Sequence, residues 1–82
     1  MAGRIELVLD FGCGTATSAT LYYLLFYPKC HVIGYDKYCT EEWVRSHLPE
    51  AVQWRFHFIG GDRADIGKLT IERLEEDVRQ FL

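Results

Sequence analysis

Three aspartates stand at equivalent places in this chain, each at or just beyond the end of an apolar run: Asp10 in "IELVLDF", Asp36 in "CHVIGYD" and Asp62 after "FHFIGG". Glycines flank them, with Gly12 and Gly14 following the first and Gly60 and Gly61 preceding the third. A carboxylate there accepts hydrogen bonds from hydroxyls and amines and attracts cations, while glycine lets backbone N–H groups approach a ligand closely. One such Asp alone reads as a turn former. Three in the same topological place, with glycines beside them, point to a binding site. Cys13, between two glycines, reads either as a thiol activated at a helix N-terminus or, preferably, as a small residue filling the turn. His31, His47 and His57 lack ligand spacing and have no cysteine or carboxylate companions in register, so no metal site is expected. His57, between Phe56 and Phe58, is expected on the polar face of an alternating strand.

The elements that must position these residues alternate. Residues 5–11 form a short apolar run bounded by Gly12, as a buried strand requires, and "ATSATLYYLLFY" at 16–27 has helical length and stops at Pro28. A second strand is predicted over 30–36. Thr40 then caps "EEWVRSHL", whose first two acids favour the positive end of a helix dipole, and Pro49 closes it. Residues 52–59, "VQWRFHFI", alternate as a third strand. In "TIERLEEDVRQFL" the residues Ile71, Leu74, Val78 and Phe81 form one stripe on a helix capped by Thr70, and 60–68 is the loose stretch. The order β-α-β-α-β-α implies an α/β fold with a parallel sheet of about three strands, which binds ligands beyond the carboxyl ends of those strands. On the first helix Tyr22 pairs with Phe26 and Tyr23 with Tyr27; one pair is expected on the sheet and the other more exposed.

Composition bounds the function classes. With 82 residues the chain makes one domain, 1–82, and its net charge of −3 with scattered Lys and Arg gives no nucleic-acid footprint. No apolar run spans a bilayer, so no membrane partner is expected. Three cysteines without CxxC spacing argue against a disulfide framework and a zinc site. Together with the lack of a signal-peptide pattern, this leaves the cytoplasm as the expected location.

The string "VLDFGCGTA" resembles the first motif of the class I S-adenosylmethionine-dependent methyltransferases, "VIGYDK" their second, and "FIGGD" the glycine-aspartate after their third strand. Asp36 lies 22 residues after Gly14 and Asp62 lies 26 after Asp36, each interval holding one helix and one strand. The resemblance implies a three-layer Rossmann-like half-domain with S-adenosylmethionine as cofactor. It places the Gly12-Cys13-Gly14 turn against the methionine part, Asp10 near the amino group, and Asp36 on both ribose hydroxyls. Lys37 would lie against the adenine, with Asp62 at the adenine amino group and the backbone of Arg63 beside it. The cofactor's sulfonium and ammonium suit a pocket edged by carboxylates. A dinucleotide is disfavoured, because Thr17 replaces the third glycine of GxGxxG.

The chain departs from the family after its third strand and helix, and nothing resembles the fourth motif. The expected function is therefore the cofactor-binding portion of a methyltransferase, inactive alone, with catalytic residues and methyl acceptor unassigned. The alternative is a non-catalytic small-molecule or protein-binding module. With three strands the first becomes an apolar edge, expected to pair with a second copy in a homodimer or with a missing C-terminal half.

Overall fold

The computed structural model describes residues 5–14 and 19–81. Three strands, β1 (Leu7–Phe11), β2 (His31–Asp36) and β3 (Phe56–Gly60), alternate with helices α1 (Ala19–Phe26), α2 (Glu41–Arg45) and α3 (Ile71–Phe81). The sheet is parallel in the order β1-β2-β3, with Leu7 opposite His31 and Asp36 opposite Gly60. This is an α/β, Rossmann-like half-fold.

The twofold period of the strands decides which residues meet which helix. Val8, Val32, Phe56 and Phe58 face one layer, where they pack with Leu24 of α1, Val44 of α2, and Leu48 and Val52 beyond it. Leu7, Leu9, Ile33, Tyr35 and Ile59 belong to the other layer, with Leu74, Val78 and Phe81 of α3. Side chains such as Leu24, Val32 and Ile33 are fully buried, each worth about 1.5–3 kcal/mol by removal from water. Gly34, at the centre of β2, is required by close approach: a Cβ there would meet Cys13 Sγ and the Phe56 ring at 2.9 Å.

The expected caps form. Thr40 Oγ1 accepts from the Trp43 N–H at 3.2 Å and Thr70 Oγ1 from the Arg73 N–H at 3.2 Å. Tyr23 and Tyr27 pack on the core, while Tyr22 and Phe26 are half or more exposed. Ile71, at the start of the stripe beside Leu74 and Val78, is left uncovered at 69% exposure. Among the described residues no helix is long and apolar enough to cross a membrane.

Several boundaries differ from the sequence expectation. The third strand begins at Phe56, because Glu50–Arg55 forms a 3-10 helix that buries Val52 and Arg55, three residues apart as that geometry stacks them. The alternation in "VQWR" misleads because Gln53 is tied to α2: its side chain donates to the Arg45 and Leu48 carbonyls, and Arg45 donates to the Gln53 and Phe56 carbonyls. α2 ends at Arg45, short of the expected 48, with the Ser46 hydroxyl bonded to the Trp43 carbonyl. The loose stretch contains two short 3-10 helices, Gly61–Ala64 and Ile66–Lys68. The part of the first helix expected over 16–18, and Thr17 with it, lies outside the described residues.

His57 is not on a polar face. It lies half-buried in the layer of α3, stacked on Phe81 with ring centroids 4.7 Å apart.

Candidate functional site

At the carboxyl edge of the sheet, β1 exits into the glycine turn. Gly12 and Gly14 have φ of 72° and 55°, the left-handed region that favours glycine. The turn folds back on β2. The Gly12 and Cys13 N–H groups both donate to the Tyr35 carbonyl, at 2.7 and 3.1 Å. The Gly14 N–H donates to Asp36 Oδ2 at 2.9 Å. Backbone donors that the sequence offers to a ligand are thus engaged in holding the turn.

Asp36 is the hinge of this edge. Its Oδ1 accepts from the Tyr38 and Cys39 N–H groups, at 2.8 and 3.0 Å, so one carboxylate joins the exits of β1 and β2. Burial pushes its carboxyl up, but the three backbone N–H bonds outweigh that and hold it below its ordinary value of 3.8. Asp10, on the face of α1, accepts from the buried Thr20 hydroxyl and so locks β1 to α1. Burial, then the charges of Asp10 and Asp36, push the Cys13 thiol up to about 12. A thiol so protonated is inert at neutral pH, which makes Cys13 the packing residue over Gly34.

Beyond these residues opens a cleft of about 260 Å³, lined by Gly12, Tyr35, Asp36, Lys37, Tyr38, Ala64, Asp65 and Ile66. Lys37 reaches across it to Asp65 at 3.4 Å. Asp65 also accepts from the Gly67 N–H at 3.1 Å. That bond, against a smaller opposing effect of burial and with Lys37 helping, holds its carboxyl below the usual value.

Of the sequence-derived set, the structure brings Gly12, Asp36 and Lys37 to the cleft, with Cys13 and Gly14 in the adjoining turn. Asp10 is not among the lining residues and is bonded to Thr20 of α1. Asp62 is exposed on the 3-10 helix, and neither it nor Arg63 is among the lining residues; the Arg63 side chain meets Asp77 of α3 at 2.6 Å. Asp77 is fully buried and also accepts from the Tyr35 hydroxyl at 2.8 Å, a contact that follows burial in raising the Tyr35 pKa. Tyr35, Tyr38, Ala64, Asp65 and Ile66 are the lining residues absent from the sequence-derived set. Their one signal is the second acid of "DRAD", which caps the next turn through the Gly67 N–H. Among the described residues no group of three or more metal-ligating side chains converges.

Comparison with protein-family models, with curated proteins and with solved structures finds no match.

Proposed function

We propose that this chain is the S-adenosylmethionine-binding portion of a class I methyltransferase, holding the cofactor at the carboxyl ends of its strands. The observation that carries this reading is the coupling of the Gly12–Gly14 turn to Asp36 beside an open cleft, at the place where parallel α/β sheets bind ligands. The donor set suits the group. Asp36 and Asp65 outnumber Lys37 along the cleft, which favours a cationic, hydroxyl-bearing ligand over a pyrophosphate. At about 260 Å³ the cleft has room for a nucleoside-sized part, slightly below the ~300–1,000 Å³ of ordinary ligand pockets. When bound, the cofactor supplies an electrophilic methyl group. This chain's residues bind and orient it, and the acceptor side falls to residues outside the three-stranded unit.

The partner surface in this reading is the outer edge of β1, which takes either a second copy or a C-terminal half. A non-catalytic binding module is the second reading, favoured by one observation: Asp36 already accepts three N–H groups, which leaves it little capacity for ribose hydroxyls.

Calorimetry with S-adenosylmethionine, S-adenosylhomocysteine and NAD decides between them. The first two bind modestly and NAD does not. NAD binding as tight as the others rejects the methyltransferase reading, and no binding of any of the three favours the module.

A further inference from the structure

At the opposite edge of the sheet, where the strands begin, two histidines that lie 26 positions apart meet side by side. His31 opens β2, and His57, the second residue of β3, stands opposite Ile33. Their side chains share the face covered by α3, because His31 and Ile33 are two apart on one strand. His31 Nδ1 lies 2.9 Å from His57 Nε2. The ring planes differ by 5° and the centroids are 5.2 Å apart, farther than the nitrogens by the two ring radii. The imidazoles therefore lie end to end in nearly one plane, each nitrogen aimed at the other.

That geometry distinguishes a shared proton from a shared metal. An ion held in line between two nitrogens needs about 4 Å across, from Zn–N bonds of ~2.0–2.1 Å, and 2.9 Å leaves no room for it. In the neutral pair one N–H donates to the lone pair of the other ring. A first added proton keeps that bond and places a charge on it. A second puts N–H against N–H, with two positive charges in contact, and breaks it.

The surroundings make this charging consequential. The His57 ring stacks on Phe81 at the end of α3, and the His31 and Trp54 rings meet at right angles with centroids 5.6 Å apart. Each neighbouring element contributes its charged groups. Arg45 of α2 donates to the Phe56 carbonyl beside His57, and Arg55 donates to the Cys30 carbonyl beside His31. The Cys30 thiol donates to the His31 carbonyl. On α3, Asp77 is committed to Tyr35 and Arg63, and Arg79 is exposed. The Glu6 side chain, next to β1, is exposed.

We propose that His31 and His57 form a proton-sharing pair whose full charging loosens the last turn of α3 from the sheet. The device stands apart from the cleft and is independent of what binds there. Burial first, then His31 and Arg45, hold the His57 pKa below its ordinary 6.5. The sign follows from a depressed base: the unfolded chain takes up the proton more readily than the folded one. The stabilisation is therefore full above about 6.5 and declines as the pH falls toward the folded value.

Nuclear magnetic resonance of the intact chain from pH 8 to pH 5 tests this. The His57 ring signals titrate with a midpoint below 6.5, and the Phe81 ring and Val78 methyl signals move with the same midpoint. His31→Phe moves the His57 midpoint up toward 6.5 by removing the second charge. His31→Gln, which keeps a hydrogen-bonding group and is the gentler change to the fold, does the same. A wild-type midpoint at or above 6.5, α3 signals that do not follow it, or a midpoint unmoved in the folded variants overturns the pair.

Discussion

Single carboxylates at this sheet edge differ in how much of their accepting capacity is already used. Asp36 takes three backbone N–H groups, whereas Asp65 takes one N–H and a long contact from Lys37. Asp36→Asn keeps one carbonyl oxygen for Tyr38 and Cys39 and loses the acceptor of Gly14, so it frees the Gly14 end of the turn while Gly12 and Cys13 stay bonded to the Tyr35 carbonyl. Loss of a hydrogen bond to a charged acceptor costs about 1.5–3 kcal/mol, read by urea unfolding at pH 7, and binding of S-adenosylhomocysteine falls at least tenfold. Acid acts in the same direction. With the folded carboxyl below 3.8, its contribution is present above 3.8 and lost as the pH falls through the lower folded value. Asp65→Asn weakens binding while Asp62→Asn leaves it within twofold, since only the former side chain lines the cleft. A larger loss from Asp62→Asn in calorimetry rejects the assignment of the cleft acid.

Among the elements, α1 depends on a residue far from it in sequence. Its C-terminal carbonyls are capped by the buried Arg55 guanidinium, which donates to Leu24 at 2.7 Å, to Tyr27 at 3.1 Å and to the following Cys30 at 2.8 Å. A cation there also answers the negative end of the helix dipole. Arg55→Met strips three carbonyls of their donor and lowers stability by at least about 3 kcal/mol, given ~1.5–3 kcal/mol for each bond to a charged group and incomplete additivity. A loss under 1 kcal/mol in urea unfolding shows that water replaces the guanidinium. Gly34→Ala tests the layer beneath. Its Cβ overpacks Cys13 and Phe56, and the melting temperature falls with a cost of about 1–3 kcal/mol. The described part of α1 and all but the first residue expected for β2 follow the sequence reading; the cap and the close contact do not, because each joins residues about twenty or more positions apart.

For the whole molecule, the decisive feature is the outer edge of β1, which among the described residues pairs with β2 alone. The His31 N–H donates to the Glu6 carbonyl and the Gly12 N–H to the Tyr35 carbonyl, so even-numbered positions of β1 face β2. The backbone groups of Leu7, Leu9 and Phe11 consequently point outward. Helices α1 and α2 cover one face and α3 the other, so a right-handed crossover from α3 would add a parallel strand at this same edge. An apolar edge of this kind pairs with whatever strand reaches it. The chain by itself is expected to associate at micromolar concentration in sedimentation, and Leu9→Lys is expected to shift it to monomer or unfold it. A stable wild-type monomer shows that the edge is covered by another part of the chain.

The local code was sufficient for the α/β order, the Thr40 and Thr70 caps and the glycine turn, because hydrophobic period and turn chemistry act over a few residues. It failed at 52–55, where an alternating pattern was overridden by the reciprocal bonds between Gln53 and Arg45 of α2. It singled out Asp36 from its place after a strand, yet only the folded chain made that carboxylate the link between two loops. It offered Asp62 where the structure sets Asp65 among the cleft residues. The histidine pair was illegible for the same reason. Sequence spacing specifies faces within an element, whereas the register between strands, set by packing of both layers at once, decides which distant side chains meet.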